Sequence, residues 1–326
     1  DIDRGGVIAS IVGTMALLED DERRRIRAYC INKFRGDVSL FDSAIEIIAE
    51  RTGLECLGVF PHIAAARRLP AEDAVALDSH AATARSDCAA IKVAVPWFDR
   101  IANFDDLDPL IAEPDVEVTL VSPGDALPGD ADLVVLPGSK STKGDLVAMK
   151  AQGWDIDLAA HVRRGGWVVG LCGGYQMLGR EVSDPQGIEG AAGAEPGLGL
   201  LDITTTLAGD KSLVESSGHD PVSGAAVQGY EIHIGITEGA DRARPMIELA
   251  RGPDGAVSAD GRVMGCYLHG LFAADDFRHA FLARLKDRHA SGVAFEAGIE
   301  TALNDVADAI EIATDLDRWL EIARER

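Results

Sequence analysis

The sequence predicts an α/β protein built on a parallel sheet, and three observations carry that prediction. Short apolar runs recur between helix-length segments, the rhythm of β-α-β units. Hydrophobic residues make up 47% of the 326 but aromatic residues only 5%, so the core must be aliphatic, as suits strands covered on both faces. The apolar run 166–171 passes directly into Cys172-Gly173-Gly174 and then into a helix-like segment, the strand–turn–helix order of a nucleophile elbow.

Each element has its own reason. Residues 7–18 are apolar almost throughout and predict a buried helix. Residues 28–33 and 57–61 are short apolar runs that predict strands. The segment 42–52 between them has helical spacing of Ile45, Ile47 and Ile48 and a glycine stop at Gly53. Residues 70–90 are rich in Ala, Asp and Ser and carry no period, so a domain boundary is expected there. A second α/β pattern follows, with strands at 91–95, 116–121 and 132–136, a helix at 154–164 and the elbow strand at 166–171. Longer alternating segments at 200–206, 225–237 and 263–268 predict further strands, and 3.6-residue spacing predicts helices at 275–286 and 298–324. The expected organisation is an incomplete first domain at 1–75, a linker at 76–90 and a second domain at 91–326. The chain opens as though part-way through a strand, so it is expected to be the C-terminal portion of something longer.

Bulk composition excludes several classes. A formal charge of −23 argues against binding nucleic acid through a basic surface. No apolar run approaches the roughly 18 residues that span a bilayer. The five cysteines, at 30, 56, 88, 172 and 266, show no C-x-x-C pair, which argues against a zinc ribbon or disulfide scaffold and points to a reducing cytoplasm.

The chemistry centres on Cys172. A thiol at the tip of an elbow projects above the sheet, and the helix that follows favours negative charge at its N-terminus. It needs a base, and His269 ends a short apolar strand 97 residues later, where it can overhang the same sheet edge. Attack on a carbonyl also needs N–H donors for the developing oxyanion. Gly173 supplies one, and the turn Pro137-Gly138-Ser139 can supply the other, from Gly138. A plain structural reading of each glycine and of the histidine exists; their combination with the elbow favours the catalytic one.

These residues resemble the class I glutamine amidotransferases, in the branch found in cobyric acid synthases. The likeness rests on Asn103-Phe-Asp-Asp-Leu-Asp-Pro109, Leu136-Pro-Gly-Ser-Lys-Ser-Thr142, Gly170-Leu-Cys-Gly-Gly-Tyr-Gln-Met-Leu-Gly179, Gly229-Tyr-Glu-Ile-His-Ile-Gly235 and Tyr267-Leu-His-Gly270. Residues 1–9, 31–37 and 57–61 are similar to the second half of that branch's ATP-binding domain, itself similar to dethiobiotin synthetase. The implied fold is therefore a partial P-loop-type segment followed by a flavodoxin-like amidotransferase domain with a mixed sheet. The resemblance implies Cys172 as nucleophile and His269 as base. It implies glutamine and a corrinoid, adenosylcobyrinic acid a,c-diamide, as substrates, with ATP and magnesium driving amidation of its b, d, e and g carboxylates. Asn32 matches the branch's adenine-recognising position, and Asp1 and Asp3 stand at a strand end where magnesium or substrate can bind or where the pair simply caps a turn.

The chain departs from the pattern twice. No G-x-x-x-x-G-K-[ST] loop occurs, so the resemblance puts the phosphate loop ahead of Asp1. Members of the class usually carry Glu two residues after the catalytic histidine, and here Leu271 stands there. An acidic residue from elsewhere, with Glu231 as the named candidate, would have to orient His269. His233 is read as structural. The alternatives are a glutaminase subunit feeding a separate ligase, a cobyrinate a,c-diamide synthase, and a non-enzymatic remnant that binds a partner or corrinoid.

Overall fold

A computed structural model describes residues 1–70, 91–209 and 212–325. The chain divides into two compact units, residues 1–69 with 296–326, and residues 70–295.

The first unit is small. Strands Ala28–Phe34 and Glu55–Pro61 pair in parallel across the helix Asp42–Thr52. Its core is Ile31, Phe41, Ala44 and Val59. The helix Val7–Leu17 forms as expected but buries only Met15, because a sheet of two strands covers little of a helix that is apolar all round. The expected helix at 298–324 is two helices, Phe295–Ala313 and Leu316–Arg324. They break at Thr314, which bridges to Gly58, and Asp315 caps the second helix by accepting the Arg318 N–H at 3.1 Å.

That packing corrects the domain boundary. The sequence reading placed 296–326 in the second domain, whereas these residues cluster with 1–69. Thr314 donates to the Leu57 carbonyl, and Arg318 pairs with Glu55 at 2.9 Å on the same strand. Helical periodicity specifies that an apolar face exists, not which partner covers it. The expected linker at 76–90 lies outside the described residues.

The second unit holds a six-stranded sheet ordered Ala256–Val257, Val263–Cys266, Trp167–Leu171, Leu133–Leu136, Ile91–Pro96, Val116–Val121. Only the first pairing is antiparallel; the other four are parallel. The sheet is therefore mixed, as expected. Neighbouring residues of its strands enter opposite cores. Val134, Leu136 and Val168 face one cluster, while Leu133, Val135, Val169 and Leu171 face the other. Burial on both faces is why these strands read as continuous apolar runs.

An antiparallel five-stranded sheet flanks it, ordered Gly252–Asp254, Ile247–Leu249, Ser212–His219, Ala226–His233, Leu268–His269. The alternating segment 225–237 splits into Ala226–His233 and Ile236–Glu238 at Gly235, whose φ of 114° breaks the strand. A buried ionic cluster ties the helix Asp275–Leu285 to this unit. Arg278 Nε donates to Glu113 Oε1 at 2.7 Å with both side chains fully buried, and Arg288 meets Glu113 Oε2 at 2.7 Å.

Candidate active site

The elbow is built by close approach. The strand Trp167–Leu171 stops at Cys172, and the short helix Gly173–Met177 begins at once. Cys172 holds φ 51° and ψ −108°, a region that non-glycine residues rarely occupy. A Cβ on Gly170 would sit 2.7 Å from the Gly174 backbone, and one on Gly174 would sit 2.1 Å from the Leu136 carbonyl oxygen. Strand and helix can fold back this tightly only with glycine two residues on each side of the cysteine. Cys172 Sγ contacts the Ile232 carbonyl at 3.5 Å.

His269 comes from the last strand of the flanking sheet, in register with Tyr230. It is 1% exposed, and its Nδ1–H donates to Asp106 Oδ2 at 2.6 Å. The other oxygen, Asp106 Oδ1, accepts the Gly270 N–H at 2.6 Å, so the carboxylate is held on both sides. The opposite ring nitrogen, Nε2, is buried without a hydrogen-bond partner of its own. Burial disfavours the imidazolium. The negative charge of Asp106, its hydrogen bond and then the interaction with Cys172 outweigh that, holding the His269 pKa up to about 10. Cysteine, histidine and aspartate thus lie in one interacting line.

The carboxylate that bonds His269 differs from the one proposed from sequence. Strand alternation explains why. Tyr230 stands opposite His269, so Glu231, one residue on, faces the other side of the sheet. There Glu231 accepts from Ser216 Oγ at 2.7 Å and pairs with Arg251. Asp106 instead comes from the short 3-10 helix Phe104–Leu107, which Asn103 opens at φ 52°. Tyr230 joins the two parts. Its ring stacks on His269 at 5.4 Å and 22°, and its hydroxyl accepts from Asn103 Nδ2 at 2.6 Å. Leu271, where the class usually has Glu, is fully buried in the apolar core.

The two glycines expected to supply N–H donors lie beside this line. A Cβ on Gly138 would be 3.2 Å from His269 Cε1, and one on Gly173 would be 3.0 Å from the Ser139 backbone nitrogen. The 138–139 turn therefore lies against both the elbow and the imidazole. It is braced by Ser139 Oγ donating to Asp145 Oδ2 at 2.5 Å.

Gln176, unassigned from the sequence, is 2% exposed one helical turn beyond Cys172. Its Nε2 donates to the Ile234 carbonyl at 3.0 Å and the Tyr267 hydroxyl at 3.2 Å, and its Oε1 accepts from Thr142 Oγ1 at 3.2 Å. His233 stacks on Tyr267 at 3.7 Å, and burial lowers its pKa, in keeping with a structural part. A cavity of about 450 Å³ opens on the Glu231 and His233 side, lined also by Arg242, Arg251 and Asp254. Neither Cys172 nor His269 lines it.

The residues singled out in the first unit have a different setting. Asp1 Oδ1 accepts the Asp3 N–H at 3.0 Å, while Lys33 and Arg35 pair with Asp1 and Asp3 at 3.0 and 3.2 Å. The Asn32 side-chain oxygen accepts the Lys33 N–H at 2.8 Å. These carboxylates are already met by cations, and no group of three or more His, Cys, Asp or Glu converges to hold a metal among the described residues. On their own they do not fit a magnesium site.

Residues 92–277 match the CobB/CobQ-like glutamine amidotransferase domain. The cobyric acid synthase of Rhodobacter capsulatus is 56% identical over 324 residues, covering 99% of this chain and 66% of that protein. Those of Cereibacter sphaeroides and Methylobacterium nodulans are 53% and 54% identical, again covering 99% of this chain and 66% of each relative. The chain thus spans about two thirds of the length of the curated relatives it matches. With the family match covering more than half of its residues, the chain belongs to the CobB/CobQ-like glutamine amidotransferases.

Proposed function

We propose that this chain releases ammonia from glutamine at Cys172 and that, within the longer protein its relatives represent, the ammonia amidates corrinoid carboxylates. The observation that carries the first half is the line from the elbow through His269 to Asp106. His269, whose raised proton affinity favours the imidazolium, holds the thiol proton at Nε2 while Asp106 fixes the ring through Nδ1. The sulfur attacks the amide carbon, and the N–H groups at Gly138 and Gly173 stabilise the oxyanion. Collapse breaks the C–N bond as His269 returns its proton to the leaving nitrogen, which departs as ammonia. Water, deprotonated by the same imidazole, then cleaves the thioester to give glutamate.

The second half rests on the relatives named cobyric acid synthase, which align with both units of this chain. That extent favours a synthase over a separate ammonia-supplying subunit. The substrate in this reading is adenosylcobyrinic acid a,c-diamide, amidated at b, d, e and g with ATP and magnesium. Asn32 would stand at the edge of the ATP site, while Asp1 and Asp3, paired with Lys33 and Arg35, are not assigned to it. The test is direct. Cys172→Ala abolishes glutamine-dependent amidation in the longer enzyme while ammonia-dependent amidation persists. Loss of both activities in a folded variant contradicts this division of labour.

A further inference from the structure

We infer that the cavity beside Glu231 and His233 is a second ligand site, apart from the catalytic line, and that it takes an amino acid, with the ammonium on Asp254 at its floor and a carboxylate on Arg242 at its mouth. The cavity holds about 450 Å³, and neither Cys172 nor His269 lines it. That volume lies within the roughly 300–1,000 Å³ of small-molecule sites. The inference goes beyond the glutaminase reading and does not depend on it.

The floor is short of hydrogen-bond donors. Asp254 is 7% exposed, and its carboxylate is met by backbone N–H groups, that of Tyr267 at 2.9 Å and those of Leu268 and Gly255. No cationic side chain pairs with it among the described residues. Burial raises its pKa to about 6 against those N–H groups, the condition of a buried carboxylate without a counter-charge. Tyr175 is fully buried with its hydroxyl unpartnered, and His233 Nδ1 is also buried without a partner. Burial lowers the His233 pKa, so its ring is neutral and Nδ1 can accept in one tautomer. All three groups line the cavity. An ammonium brings three hydrogens and one charge, and the floor offers three kinds of acceptor and one opposite charge.

The mouth carries the opposite charge. Arg242 is exposed and gives one N–H to the Thr237 carbonyl at 2.9 Å, which leaves most of its five-donor fork for a ligand. Arg251 also lines the opening, but Glu231 pairs with it. Arg242 and Asp254 are therefore the two charges of the cavity without a side-chain counter-ion among the described residues. They stand at different depths, one exposed and one buried. A simple anion would meet Asp254 on entering, and a simple cation would meet Arg242; a dipolar ligand satisfies both. Between them the rings of Tyr175 and Tyr267, edge to face at 5.1 Å, give the wall an apolar stretch that suits a short aliphatic chain.

The experiment is a calorimetric titration of this chain with L-glutamate, and with its two halves, glutarate (no ammonium) and butylamine (no carboxylate). The chain is first treated with a diazoketone analogue of glutamine, which alkylates a catalytic cysteine and so fills the catalytic site. A chain that does not label at Cys172 counts against the glutaminase reading, and the cavity is then judged by the losses in the two variants below. The labelled wild type should bind one equivalent of L-glutamate. A lost charged hydrogen bond corresponds to roughly tenfold to hundredfold in affinity. Glutarate and butylamine should each bind more weakly by that factor, and Asp254→Asn and Arg242→Gln should each weaken L-glutamate by the same factor. Asp254→Asn keeps an oxygen for the Tyr267 N–H; should it still lose its thermal transition, Arg242→Gln, at the exposed mouth, decides. Glutarate binding as well as L-glutamate would make this an anion site, and butylamine binding as well would make it a cation site; either overturns the inference. So does a wild type that binds none of the three, or L-glutamate binding unchanged in the folded variants.

Discussion

The end of the strand Trp167–Leu171 and the end of the strand Ala28–Phe34 both gather polar residues at the carboxyl edge of parallel strands, yet they are built differently. At the first, His269 and Asp106 are 1% and 4% exposed and joined at 2.6 Å, and His269 interacts with a cysteine of positive φ. At the second, Lys33 and Asp1 are 50% and 27% exposed, and Arg35 and Asp3 are 56% and 43% exposed. Exposed pairs of that kind contribute little and are screened by salt. The comparison teaches that strand-end position nominates residues, while burial and convergence hold the proton affinity of His269 up.

The contrast can be broken or sharpened by substitution. The largest effect is expected at the buried line. Asp106→Asn removes the charge that fixes the His269 tautomer and should lower kcat for glutamine hydrolysis by about 10²- to 10⁴-fold. Its pH dependence carries a sign. A histidine pKa raised from 6.5 to about 10 contributes stability that is complete below 6.5 and lost as pH rises through about 10. Asp106→Asn should therefore move the alkaline limb of thermal stability to lower pH.

Next is the buried ionic cluster. Glu113→Gln removes the buried carboxylate that Arg278 and Arg288 share, leaving them Asp275 and Asp115, and should cost about 3–5 kcal/mol in equilibrium unfolding. Burial raises the Glu113 pKa, but hydrogen bonds from Arg278 and Arg288 outweigh it and bring it from 4.5 down to about 2. Its stabilisation is present above 4.5 and lost as pH falls through about 2, so Glu113→Gln should flatten the acid limb of the stability profile.

A smaller change is expected from Tyr230→Phe. It keeps the ring over His269 and deletes the hydroxyl bonded to Asn103, about 1 kcal/mol, or roughly fivefold in kcat. The smallest effect belongs to the exposed pairs. Asp1→Asn and Asp3→Asn should leave glutamine hydrolysis and the melting temperature of this chain unchanged.

The same contrast explains what the sequence made legible. The elbow is local: a strand, a cysteine and glycines two residues on either side, all within ten positions. His269 was readable because it ends an apolar strand. Asp106 was not, because it meets His269 across 163 residues of chain. Its approach depends on Asn103 adopting a left-handed turn, which composition does not announce. Glu231 was the natural acidic candidate in a motif, and strand alternation alone sends it to the wrong face. The C-terminal helices were legible as helices, but their partner strand Glu55–Pro61 lies too far back in the chain for periodicity to indicate.

The central claim is that one sulfur becomes acylated by glutamine. Acid quenching of the chain during turnover, followed by peptide mass spectrometry, tests it most directly. A glutamyl adduct on the peptide bearing Cys172, absent in Cys172→Ala and accompanied by ammonia release, is the predicted result. Ammonia release without that adduct, or an adduct on another cysteine, would contradict it.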